Sequence, residues 1–223
     1  MLFYIIIPLL LSLYVSWRFK SKVKQYSEIG LSNHLSGAEI AEKMLRDHGI
    51  FDAKVICAEG QLSDHYNPET RTVNLSHDVF FGKSVFAAAV AAHECGHAVQ
   101  HAKAYVWLNL RSSVVPAVSI ASRYMTWVIL GGFLLLNTFP ALLLAGIILF
   151  AITTLFTIIT LPVEFDASSR ALAWLDNSGI IRKEEYPMTK DALKWAASTY
   201  VVAAIASIAS LLYYIQIYMG RRN

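Results

Sequence analysis

Residues 91–102 read AAHECGHAVQHA, and the rest of the chain is best understood outward from them. They close an Ala/Val-rich run that Ser84 can cap, so one long helix is predicted to about Ala102. On such a helix His93 and His97 stand four residues apart on one face, and both imidazoles can reach a single metal ion. Zinc suits nitrogen ligands, and a catalytic zinc keeps three protein ligands and an open position for water. Bound zinc lowers the pKa of that water from about 16 to about 7, so a neighbouring carboxylate can act as base near neutral pH. Glu94, one step round from His93, is placed for that role. The pattern predicts one zinc ion per chain.

A third ligand has to come from elsewhere. An extended motif with glycine at position 100 and histidine at position 103 is excluded, because the chain has Gln100 and Lys103 there. His101 follows His97 by four residues, but three collinear histidines span about 12 Å of helix, too far for one ion. His101 is expected beside the site or at an interface. Glu164 is the better candidate. Two apolar segments separate it from the histidines, so the chain crosses a membrane and returns to the same face. Glu164 is expected just after Pro162, at the start of a helix that Asn177 and Gly179 end. A carboxylate this close to a span asks for a reason. The plainer reading is an interfacial carboxylate favoured by the helix dipole.

Four apolar segments stand out, near residues 2–17, 114–136, 139–161 and 196–219. The first is short and carries Pro8, with Tyr14 and Trp17 placed to sit at an interface. Only Asn137 and Thr138 join the second and third, which predicts a tight helical hairpin. A mean hydropathy of +0.46 and 56% hydrophobic residues agree with a membrane protein. The expected fold is mainly α, with about four transmembrane helices and a small α+β zincin-like soluble domain after the first. The expected parts are an anchor (1–17), the soluble domain (18–113), a membrane hairpin (114–161), a soluble segment with the third ligand (162–195) and a last span (196–219).

Within the soluble part, Ser36 and Glu39 have capping-box spacing and Gly49 supplies a stop, predicting a helix over 36–48. Residues 53–58 and 70–75 read as strands around a turn-rich stretch from Gly60 to Pro68. The second strand is expected to offer an edge to an extended substrate. His65 and His77 flank that strand and read either as ordinary loop histidines or as groups that stabilise the oxyanion or contact substrate, His65 being the stronger candidate. Arg123, inside the second apolar segment, either faces the metal cleft or marks where its helix enters the membrane; the second reading is preferred.

A net charge of +3 is small, and the cations cluster beside the spans, so nucleic-acid binding is not expected. Arg18, Lys20, Lys22, Lys24, Lys103 and Arg111 place the soluble domain on the cytoplasmic side, while Arg221 and Arg222 run against that topology. The first segment is expected to be an uncleaved anchor. Cys57 and Cys95 show no framework spacing and read as two small buried residues in a reducing compartment.

With these residues located, the chain resembles the YugP-like family of bacterial membrane zinc metallopeptidases. The likeness rests on DHYNPETRTVNLS (64–76), AAHECGHAVQHA (91–102), LPVEFDASSRA (161–171) and the Thr199-Tyr200 pair of the last segment. It implies His93, His97 and Glu164 as the zinc ligands of a gluzincin, Glu94 as catalytic acid and base, and a bacterial plasma-membrane location. More distantly the chain is similar to the HtpX and CAAX-prenyl-protease group, whose third-ligand motif reads EFxAD. Ser168 replaces the terminal aspartate of that motif. Asp166 and Arg170 are therefore expected to support the ligands from outside the metal.

The expected reaction is hydrolysis of a peptide bond in a peptide or protein substrate. Two other classes compete, a catalytically silent zinc-binding scaffold and a metal or ion transporter. A scaffold has no use for the carboxylate of Glu94. A transporter should carry ionisable groups through its spans, and the third and fourth lack them.

Overall fold

The computed structural model describes residues 3–60 and 62–220. In chain order the elements are α1 (Phe3–Ser27), α2 (Gly37–Asp47), β1 (Lys54–Ala58), β2 (His65–Asn67), β3 (Thr72–Ser76), α3 (His77–Phe80), α4 (Val85–Ala102), α5 (Val106–Leu134), α6 (Ala141–Asn177) and α7 (Tyr186–Gly220). The protein is mostly helical, with one small mixed sheet. Helices α1, α5, α6 and α7 are long and apolar enough to cross a membrane. Large apolar side chains such as Ile5, Leu9, Trp127 and Leu155 point outward from them.

The centre of the fold is α4, which is buried along nearly its whole length against α2, α6 and α7. Its alanines let three helices approach at once. Ser84 caps it by accepting from the Ala87 amide. Helix α2 carries the expected capping box: Ser36 Oγ accepts from Glu39 N, and the Glu39 carboxylate accepts from Ser36 N at 2.8 Å. Ile40, Met44 and Leu45 bury its apolar stripe. Gly49, at φ 72°, takes the left-handed turn that ends the segment.

The sheet departs from expectation in one respect. β1 and β3 pair in parallel, but β2 forms inside the stretch read as turns and pairs antiparallel to β3. The order is β1-β3-β2, so β3 is the central strand and cannot supply a free edge. The free edge nearest α4 belongs to β2. With three residues and no apolar alternation, β2 carries too little pattern to be seen without its partner.

Helix α6 corrects a second expectation. It runs unbroken for 37 residues through Pro162, so Glu164 lies well inside a helix rather than at its start. The dipole explanation of Glu164 falls with that. A proline costs one backbone hydrogen bond in a helix interior, and packing against α4, α5 and α7 offsets it here. The other apolar segments likewise extend into longer helices. On α1, Lys22 turns inward to pair with Asp191 of α7 at 2.9 Å, and Tyr26 donates to the same carboxylate at 2.7 Å. Cys95 is buried as expected, whereas Cys57 is exposed on β1. Arg221 and Arg222 lie outside the described residues.

Candidate metal centre

His93 and His97 leave one face of α4 and meet Glu164 of α6. Glu164 Oε2 lies 3.2 Å from His93 Nε2 and 3.7 Å from His97 Nε2. One ligating atom from each residue falls within 4.8 Å of the others. Close approach of the two helices makes this possible: a Cβ on Gly96 would stand 2.6 Å from the Ala167 carbonyl oxygen. Any larger residue would push α6, and Glu164 with it, away from the histidines.

Both imidazoles are oriented from behind. Gln100, fully buried, donates through Nε2 to the Val163 carbonyl and to Asp166 Oδ2, each at 2.8 Å. Its Oε1 is thereby turned to His97 Nδ1 at 3.0 Å, which places the ring proton on Nδ1 and leaves Nε2 bare. Ser168 Oγ stands 3.1 Å from His93 Nδ1 and can accept its proton, with the same result. Asp166 is held in turn by Arg170, whose Nε donates at 2.5 Å.

A metal cation fits what these residues present. Glu164 is 3% exposed, and its Oε2 is buried without a hydrogen-bond partner among the described residues. Two bare imidazole nitrogens and an orphaned carboxylate oxygen at one point form a donor set that suits a divalent cation such as zinc. Burial alone would depress the basicity of His97, yet its contact with Glu164 and the charges of Glu94 and Glu164 raise it on balance. The same negative field favours a bound cation.

Two cavities, of about 210 Å³ and 280 Å³, open on either side of this point. Asp64, Glu94, Glu164 and Tyr200 line both. Burial pushes the Asp64 carboxyl up, opposed by hydrogen bonds from the Ser76 amide and hydroxyl. Arg111 lies in the larger cavity, with Nη1 3.9 Å from Glu164 Oε1.

The structure thus brings His93, Glu94, His97 and Glu164 together, with Asp166 and Arg170 joined to His97 through Gln100. His65 lines the larger cavity from β2. His101 points elsewhere, its Nδ1 2.9 Å from the Tyr66 hydroxyl. His77 is exposed, its ring tilted against that of Phe81. Arg123 is exposed on α5, with no charged partner among the described residues. Sequence reasoning missed Gln100, Tyr200 and Arg111 as parts of the site. Gln100 carried a usable signal, a polar residue three positions after His97 on an Ala/Val-rich helix. Arg111 was read as a topology charge, and nothing local separates the two roles.

The chain belongs to the family described as "putative neutral zinc metallopeptidase", whose family model matches residues 1–219. Among curated proteins it is similar to the "Putative membrane protease YugP" of Bacillus subtilis (strain 168), at 41% identity over 224 residues. That alignment covers 100% of this chain and 98% of the relative. The resemblance read from the sequence is therefore correct at the level of the family. No solved structure gives a significant match.

Proposed function

We propose that this chain is a multi-pass membrane zinc metallopeptidase in which His93, His97 and Glu164 hold the metal and Glu94 is the general base. The observation that carries the reading is the convergence of three bare donor atoms from α4 and α6, with Glu94 at the wall between two cavities. A zinc ion there supplies Lewis acidity and a water of lowered pKa. Glu94 would serve as the base toward an attacking water and would return the proton to the leaving amine. Tyr200, at the same wall, is placed to donate to the scissile carbonyl oxygen as charge develops on it. Gln100 and Ser168 keep the imidazole tautomers fixed throughout. The free edge of β2, rather than β3, is the place for an extended substrate to pair.

Helices α1, α5, α6 and α7 cross the bilayer in this reading. The unit of α2, the sheet and α4 lies at its cytoplasmic face, carried by Arg18, Lys20, Lys24 and Lys103. The printed name of the relative, "Putative membrane protease YugP", supports the membrane location, and the choice of face rests on the basic residues alone.

The test is zinc content paired with peptide hydrolysis by the purified chain in lipid nanodiscs. Wild-type protein should hold one zinc and cleave peptides, and Glu94→Gln should hold zinc without turnover. Equal rates in the two proteins would remove Glu94 from the mechanism. A zinc-loaded wild type that cleaves no peptide from a diverse set would favour the scaffold.

A further inference from the structure

The smaller cavity lies between α1, α4 and α7 and reaches the metal centre at Glu94 and Glu164. Its far walls are Phe19, Phe86 and Leu193, with Ala89, Ala196 and Ala197 between them. The space exists because α4 and α7 face each other with methyl groups where leucines would close the gap. All of its charged and ionisable groups stand at the end beside the metal centre. Across Glu94 and Tyr200 the second cavity has a different character, with His65, Arg111 and Ser112 in its lining. A polypeptide running from one cavity to the other would bring one carbonyl to the wall they share.

From this contrast we infer that the smaller cavity is a subsite for one large apolar side chain, leucine or phenylalanine, next to the scissile bond. Ala89, Ala196 and Ala197 set its size. An apolar cavity of about 150 Å³ already accepts benzene, so about 210 Å³ accommodates a phenyl or isobutyl group. The inference rests on the peptidase reading and adds a substrate class to it. One methylene in an apolar pocket changes selection by roughly 10- to 200-fold. Leucine or phenylalanine peptides should therefore exceed the alanine peptide in kcat/KM by at least about tenfold.

The experiment uses the zinc-loaded full chain in nanodiscs and peptides that differ only in glycine, alanine, leucine or phenylalanine at one position on each side of the bond. Ala196→Leu fills the subsite and should collapse the ratio of leucine or phenylalanine to alanine; Ala89→Leu repeats the test from the other helix. Fluorescence anisotropy of the same labelled peptides on the Glu94→Gln protein reads the preference as affinity, without turnover. A preference that both readouts show and both variants lose supports the subsite. Hydrolysis without side-chain preference, or a preference that neither variant changes, overturns it and leaves the peptidase reading standing. If the wild type cleaves nothing, the peptidase reading fails, and equal affinities across the series overturn the subsite as well.

Discussion

Gly96 and Ala167 bring α4 and α6 into backbone contact: a Cβ at position 96 would meet the Ala167 oxygen at 2.6 Å. Ala167 stands one helical turn beyond Glu164, so this contact sets the reach of the carboxylate toward the histidines.

Replacing Gly96 with alanine is expected to force the helices apart. Overpacking of this kind costs about 1–3 kcal/mol. Thermal unfolding should shift down, and zinc content after dialysis should fall below one per chain. Gly30→Ala is the control, because nothing lies within 4 Å of a Cβ there. It should leave both quantities unchanged.

Gln100→Leu preserves bulk but strips His97 Nδ1, the Val163 carbonyl and Asp166 of a shared partner. Each unpaired buried group costs about 1–3 kcal/mol. Loss of the partner that orients a ligating histidine weakens metal affinity by about 10- to 100-fold. Competition with a chromophoric zinc chelator measures the change. An unaltered affinity would show that Gln100 only fills space.

Tyr200→Phe keeps the ring and removes the hydroxyl at the wall shared by the two cavities. Removal of one donor to a developing oxyanion costs about 10²–10³ in kcat. The expected result is a fall in kcat of that order with zinc content intact. A change in KM alone would make Tyr200 a binding residue.

Removing the metal should destabilise the fold around α4 and α6. A ligand at 100 times its Kd stabilises by about 2.7 kcal/mol, and that contribution vanishes with a chelator. The unfolding temperature should drop on chelation and recover with added zinc. Glu164→Ala should unfold at the same temperature with or without the chelator.

Much of this protein could be read from local pattern. His93-Glu94 and His97 on an Ala/Val-rich helical run, the Ser36–Glu39 cap and the long apolar runs are each specified by residues close together in the chain. Local pattern misled where the answer depended on a distant neighbour. Pro162 looked like a boundary, yet α6 continues because α4, α5 and α7 hold it. Strand β2 was invisible because its hydrogen bonds go to β3, across a turn.

The sequence by itself determined the chemistry: which side chains could bind zinc, which carboxylate stood beside them, and which segments were too apolar for water. Only the tertiary structure decided the alliances. It turned Gln100 behind His97, put Ser168 behind His93, drew Arg111 from the count of topology charges to the side of Glu164, and left a space lined by alanines of α4 and α7. Donor type is a property of one residue, whereas orientation and empty volume belong to pairs of helices, and helix packing is settled by contacts that no short window contains.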